Sequence, residues 1–68
     1  MINWIRMEYR LPPEGDVVET KIDDHKGIRK VVCLRRKGML MFFKDWSMYV
    51  YYTPTHWRPV QDQENTST

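Results

Sequence analysis

Thr55-His56 is the pair of residues best suited to acid–base chemistry, with His56 as base and Asp45 or Asp16 as the carboxylate that orients it. Such work needs a nucleophile and a third group within hydrogen-bond reach. The chain offers neither a strained nucleophile turn nor a Cys-His pairing to supply them. A histidine bonded locally beside a packed tryptophan, Trp57, is the commoner arrangement, so no catalytic residue is assigned and a non-enzymatic protein is expected. Cys33, within Val31-Val32-Cys33-Leu34, reads as a small buried hydrophobe. Asp23-Asp24-His25 has too few ligands, too closely spaced, for a structural zinc or calcium site, and turn chemistry explains it better. Gly15, Gly27 and Gly38 are isolated, so no phosphate-cradling loop exists. No metal and no cofactor are expected.

Binding is the chemistry that remains. From Lys26 to Lys44 the chain carries seven basic residues (Lys26, Arg29, Lys30, Arg35, Arg36, Lys37, Lys44) and no acid, whereas residues 14–24 carry Glu14, Asp16, Glu19, Asp23 and Asp24 against Lys21. Pairing of the acidic and basic strands would neutralise much of this. The residues expected to face a partner are Arg29, Arg35, Arg36, Lys37, Trp46, Tyr49 and Tyr51. Two partner classes fit them. Cationic grooves with exposed aromatics bind single-stranded nucleic acid by stacking, but a net charge of +2 is modest for that role. Tyr, Trp, Met and Arg are also the residues enriched at the cores of protein interfaces, and the chain is supplied with all four. A protein partner is therefore favoured, with nucleic acid as the alternative.

The elements that must position these residues are short. Asn3 to Tyr9 alternates loosely as an edge strand until Pro12-Pro13 stops it. Val17 to Ile22 is β-branched, with Val18, Thr20 and Ile22 on one face and Val17, Glu19 and Lys21 on a wetter one. Asp23 to Gly27 is a hairpin turn. Ile28 to Arg36 is apolar on both sides in its middle, as a strand between two neighbours would be. Gly38 turns the chain into Met39–Phe43, and Lys44-Asp45-Trp46-Ser47 into Met48–Tyr52. Thr53-Pro54-Thr55 ends that run, and His56 to Val60 lies back across the sheet with Trp57 as a plug. The expected fold is all-β: a small antiparallel meander of about four strands, curled or barrel-like, with Trp4 and Trp57 sealing its ends.

Sixty-eight residues make one domain, assigned to residues 1–60, with the polar segment 61–68 expected to be disordered. Phe42, Phe43, Trp46, Tyr49, Tyr51 and Tyr52 supply most of the aromatic area and form the expected core, supplemented by homodimerisation. No basic segment followed by an apolar run opens the chain and no stretch is long and apolar enough to span a membrane, so a cytoplasmic protein is expected.

Trp4-Ile5 followed by Arg10-Leu11-Pro12 and Gly15, together with Thr55-His56-Trp57 and Pro59, resembles the opening and closing motifs of a family of small phage and bacterial proteins known only as a domain of unknown function. The resemblance covers the chain up to Val60 and departs from the family at Met39-Leu40-Met41 and the basic Arg35-Arg36-Lys37. It implies a phage or prophage setting, the host cytoplasm as location and a host protein as partner, for example through inhibition of a defence system.

Overall fold

The computed structural model describes residues 3–60, so the expectation for segment 61–68 lies outside the described residues. The chain folds as an all-β protein with five strands: β1 (Ile5–Arg6), β2 (Val17–Asp24), β3 (Gly27–Lys37), β4 (Leu40–Phe42) and β5 (His56–Pro59). They form one antiparallel sheet in the order β1-β5-β2-β3-β4. Consecutive hairpins build β2-β3-β4, and β5 returns to lie between β1 and β2. The sheet is open rather than closed into a barrel.

Turn chemistry sets the hairpins. His25 and Lys26 join β2 to β3 with the Lys26 N–H donating to Asp24 Oδ1 at 2.9 Å, and Gly27 follows at φ 105°. At the next turn Gly38 takes φ 61° as the first of two central residues between Lys37 and Leu40, the type II′ arrangement whose twist suits a tight hairpin. Register slips once in the long hairpin: Thr20 pairs with Val32 and Ile22 with Arg29, so β3 places Lys30 and Val31 against Lys21 alone. This bulge holds Lys30 at φ 57°.

Cross-strand partners share a face, which sorts the side chains into two surfaces. One carries Ile5, Trp57, Thr20, Val18, Val32, Leu34, Arg36 and Met41. It is the core, where Val18, Leu34, Met41, Val50 and Trp57 are buried together. Segment 7–16 is tied to residues of this face. Trp57 Nε1 donates to the Arg10 carbonyl at 2.7 Å, Arg36 Nε donates to the Pro12 carbonyl at 2.7 Å, and the Gly15 N–H donates to the Arg36 carbonyl at 2.9 Å. Buried Thr20 donates its hydroxyl to the Val32 carbonyl at 2.8 Å, which satisfies a polar group shut off from solvent.

Several expectations are corrected. Residues 48–52 do not form a strand: they meet β4 through a single bridge, Phe42 to Tyr49. The last strand is instead β5, because its pairing with both β2 and β1 buries Trp57 at the sheet centre. The aromatic cluster 42–52 is not the core. It lies at the sheet edge, where Val50 turns inward to a buried position and Tyr52 packs half-buried against the core as expected, while Phe43, Trp46, Tyr49 and Tyr51 stay exposed. Cys33 is half-buried because Leu34, its neighbour of opposite parity, takes the core position. Lys21, expected on the wet side, is buried: its amine lies 4.5 Å from the Trp4 ring centroid and 3.1 Å from Asp23 Oδ2.

Candidate functional site

The sheet face opposite the core carries Arg6, His56 and Lys21 towards one edge, Arg58, Glu19 and Cys33 across its middle, and Arg35 with Phe42 towards the other. Strand parity therefore brings Arg35, on β3, beside Phe42, on β4. Beyond β4 the chain turns sharply. The Trp46 N–H donates to the Phe43 carbonyl at 2.9 Å, the Ser47 N–H donates to Asp45 Oδ1 at 2.9 Å, and Trp46 itself adopts φ 64°. Bonds to Ser47 hold the Asp45 carboxyl below its ordinary pKa. The turn returns the Trp46 indole over the outer face, 5.4 Å from the Phe42 ring and 4.5 Å from the Arg35 guanidinium.

From Phe42 the stack continues. Tyr49 meets Phe42 edge-on at 5.8 Å, and Tyr51 meets Tyr49 edge-on at 5.3 Å. These separations fall in the favourable range for aromatic pairs. The result is a ladder of four rings, Trp46-Phe42-Tyr49-Tyr51, with Arg35 on its first rung and Tyr51 78% exposed at its last. A groove of about 260 Å³ runs beside it, lined in part by Met39, Leu40, Tyr49 and Tyr51.

The expected basic residues do not act as one patch. Arg29 lies at the opposite end of β3, where Nη1 and Nη2 donate to Asp24 Oδ1 at 2.8 Å and Oδ2 at 3.2 Å. That bidentate contact brings the Asp24 carboxyl down to about 2. Arg36 is on the core face, clamping the Pro12 carbonyl, with Nη1 bonded to the Gly38 carbonyl and 3.8 Å from Glu14. Arg35 donates through Nε to the Gly15 carbonyl at 2.8 Å and through Nη1 to the Lys44 carbonyl at 3.0 Å. Lys37 is exposed and shares a surface hollow with Trp46. Of the residues expected to bind, Arg35, Lys37, Trp46, Tyr49 and Tyr51 are thus brought together; Arg36 lines the hollow shared by Lys37 and Trp46 while bonded to the Pro12 and Gly38 carbonyls, and Arg29 lies elsewhere.

Neutralisation between the acidic and basic segments is only partly realised across the β2-β3 ladder. Asp24 meets Arg29, but Glu19 accepts from Arg58 Nε on β5 at 2.6 Å. Sequence reasoning missed Phe42 as a surface rung, having assigned it to the core. The signal was its parity with Arg35 across a two-residue turn. A second cluster was also missed: the Trp4 ring lies 4.2 Å from the Arg58 guanidinium as well as against Lys21.

His56 is paired with the hydroxyl of its own neighbour. Its Nδ1 lies 2.7 Å from Thr55 Oγ1, and that hydroxyl oxygen accepts the Asp23 N–H at 2.8 Å. The neighbouring hydroxyl is thereby engaged in joining β5 to the end of β2. Among the described residues, no group of three or more His, Cys, Asp or Glu side chains is placed to hold a metal ion. No helix among them is long and apolar enough to cross a membrane. Comparison of the chain with family models, curated proteins and solved structures found no match to any of the three.

Proposed function

We propose that this chain is a non-catalytic module that binds a protein through the Trp46-Phe42-Tyr49-Tyr51 ladder. One observation carries the reading: the arginines that would make a nucleic-acid patch are engaged inside the molecule, while the aromatic rings are left at the surface. Arg29, Arg35 and Arg36 each spend their donors on a carboxylate or on backbone carbonyls. Phosphate would meet only the N–H donors that these bonds leave over. The rings are rigid aromatics of the kind that anchor protein interfaces. The phage or prophage setting implied by the bookend motifs supplies the class of partner, a host-cell protein, with inhibition of a host defence as one concrete outcome.

The test is affinity capture from host lysate with the tagged chain, with and without nuclease, beside Trp46→Ala and Tyr51→Ala. A discrete protein retained after nuclease and lost with either variant is the expected result. Recovery that disappears with nuclease would overturn the reading in favour of nucleic acid.

A further inference from the structure

The site has an open main-chain edge as well as an aromatic face. The Phe43 N–H donates to the Met48 carbonyl and the Val50 N–H donates to the Met41 carbonyl, each at 2.9 Å, on either side of the Phe42–Tyr49 pair. In antiparallel geometry residues alternate in the direction of their main-chain groups. Tyr49 therefore directs its own N–H and C=O away from β4, to the outer edge of the sheet. Among the described residues no backbone partner meets them there. A strand laid along this edge would exchange both bonds with Tyr49 and set alternate side chains against the Tyr49 and Tyr51 rings, the mode of recognition in which an extended segment extends a sheet.

Charge selects the strand. Lys37 and Lys44 are exposed and flank Trp46, one through the shared hollow and the other through the turn that carries the indole. The acids nearby, Glu14, Asp16 and Asp45, keep their charges but are outnumbered by Arg35, Arg36, Lys37 and Lys44. Asp45 accepts from Ser47, and Glu14 accepts the Gly38 N–H at 2.6 Å. The balance leaves the Arg35–Trp46 end of the ladder positive. Two copies joined edge to edge through Tyr49 would bring these like charges together, which disfavours self-pairing.

We infer that the Tyr49 edge and its ladder receive an extended, acidic segment of a partner protein, with apolar side chains alternating between the acids. This rests on the proposed protein-binding role of the ladder and names the chemistry of its occupant.

A random 12-residue peptide library displayed against the tagged chain tests this. Enriched peptides are synthesised and their Kd measured for the wild type, Tyr51→Ala, Trp46→Ala and the double variant Lys37→Glu/Lys44→Glu, with sedimentation of the free chain alongside. Tyr51 is exposed enough for its removal to leave the fold intact, and circular dichroism checks each variant. The inference expects Asp and Glu enriched at least about two-fold over the naive library, with roughly ten-fold weaker binding on loss of Tyr51 or on charge reversal of the lysines. Neutral or basic peptides that still depend on Trp46 and Tyr51 would overturn the acidic occupant and leave the protein-binding role standing. Peptides indifferent to both rings would overturn both. A concentration-dependent dimer abolished by Tyr51→Ala would overturn the inference in favour of a second copy.

Discussion

The Arg35 guanidinium lies 4.5 Å from the Trp46 ring centroid while its Nε and Nη1 donate to the carbonyls of Gly15 and Lys44. A planar fork is needed for all three contacts at once: two directed bonds to loops on either side of β3, and a flat face against the indole. Arg35 is thus the link between the ladder and the sheet. The N-terminal loop and the Trp46 turn are both fastened to it.

Arg35→Lys keeps the charge and loses the fork. It is expected to lower stability by about 1–2 kcal/mol in urea unfolding. Unchanged stability would mean that the Gly15 and Lys44 carbonyls are equally well served by water.

The Asp24–Arg29 pair sets a pH dependence of known sign. The Asp24 carboxyl titrates at about 2 in the folded chain against an ordinary value of 3.8, held down first by Arg29 and then by the Lys26 N–H. A depressed folded value means that the stabilisation is present above the unfolded value and is lost as pH falls from about 4 through 2. In Arg29→Ala the Asp24 titration, followed by carboxyl NMR, is expected to move up towards 3.8. A midpoint that stays at about 2 would show that the turn backbone alone holds it.

Lys30 sits at φ 57°, a left-handed conformation that costs a side-chain-bearing residue about 1 kcal/mol. Its amine lies 5.6 Å from the Tyr52 ring, an exposed cation–π contact that offsets about half of this. Lys30→Gly is expected to raise stability by about 0.5 kcal/mol, and Lys30→Val to lower it by more than about 1 kcal/mol. Thermal unfolding of the two variants side by side measures the difference. Equal melting points would mean that the bulge relaxes to another register.

Trp57 is 3% exposed and donates to the Arg10 carbonyl at 2.7 Å. Trp57→Phe leaves that carbonyl without its donor and opens space in the core, so a loss of about 2–4 kcal/mol is expected in equilibrium unfolding. A loss below about 1 kcal/mol would show that segment 7–16 is held by Arg36 without it.

The strands were legible where local chemistry decides them. β-Branched alternation marks β2, the two-sided apolar middle marks β3 as an interior strand, and Asp23 to Gly27 and Gly38 mark the turns, although Asp23 and Asp24 pair as the end of β2. What the sequence did not disclose is long-range. His56 to Pro59 becomes a strand because β2 has a vacant edge for it, and the run after Ser47 meets β4 only at the Phe42–Tyr49 bridge. Size alone puts all six aromatics in the core, whereas place at the sheet margin leaves Phe43, Trp46, Tyr49 and Tyr51 outside and brings only Tyr52 against it. The seven basic residues from Lys26 to Lys44 looked like one patch, but a β-strand sends neighbours to opposite faces, and Arg35 and Arg36 are neighbours.

Hydrogen exchange of the chain, free and bound to the protein it captures, measures the central claim most directly. Protection confined to Phe42 and the segment from Trp46 to Tyr51, with the Asp24–Arg29 hairpin unchanged, is the expected result. Protection at residues 24–30 with the ladder exchanging as in the free chain would contradict it and place the interface on the opposite end of β3.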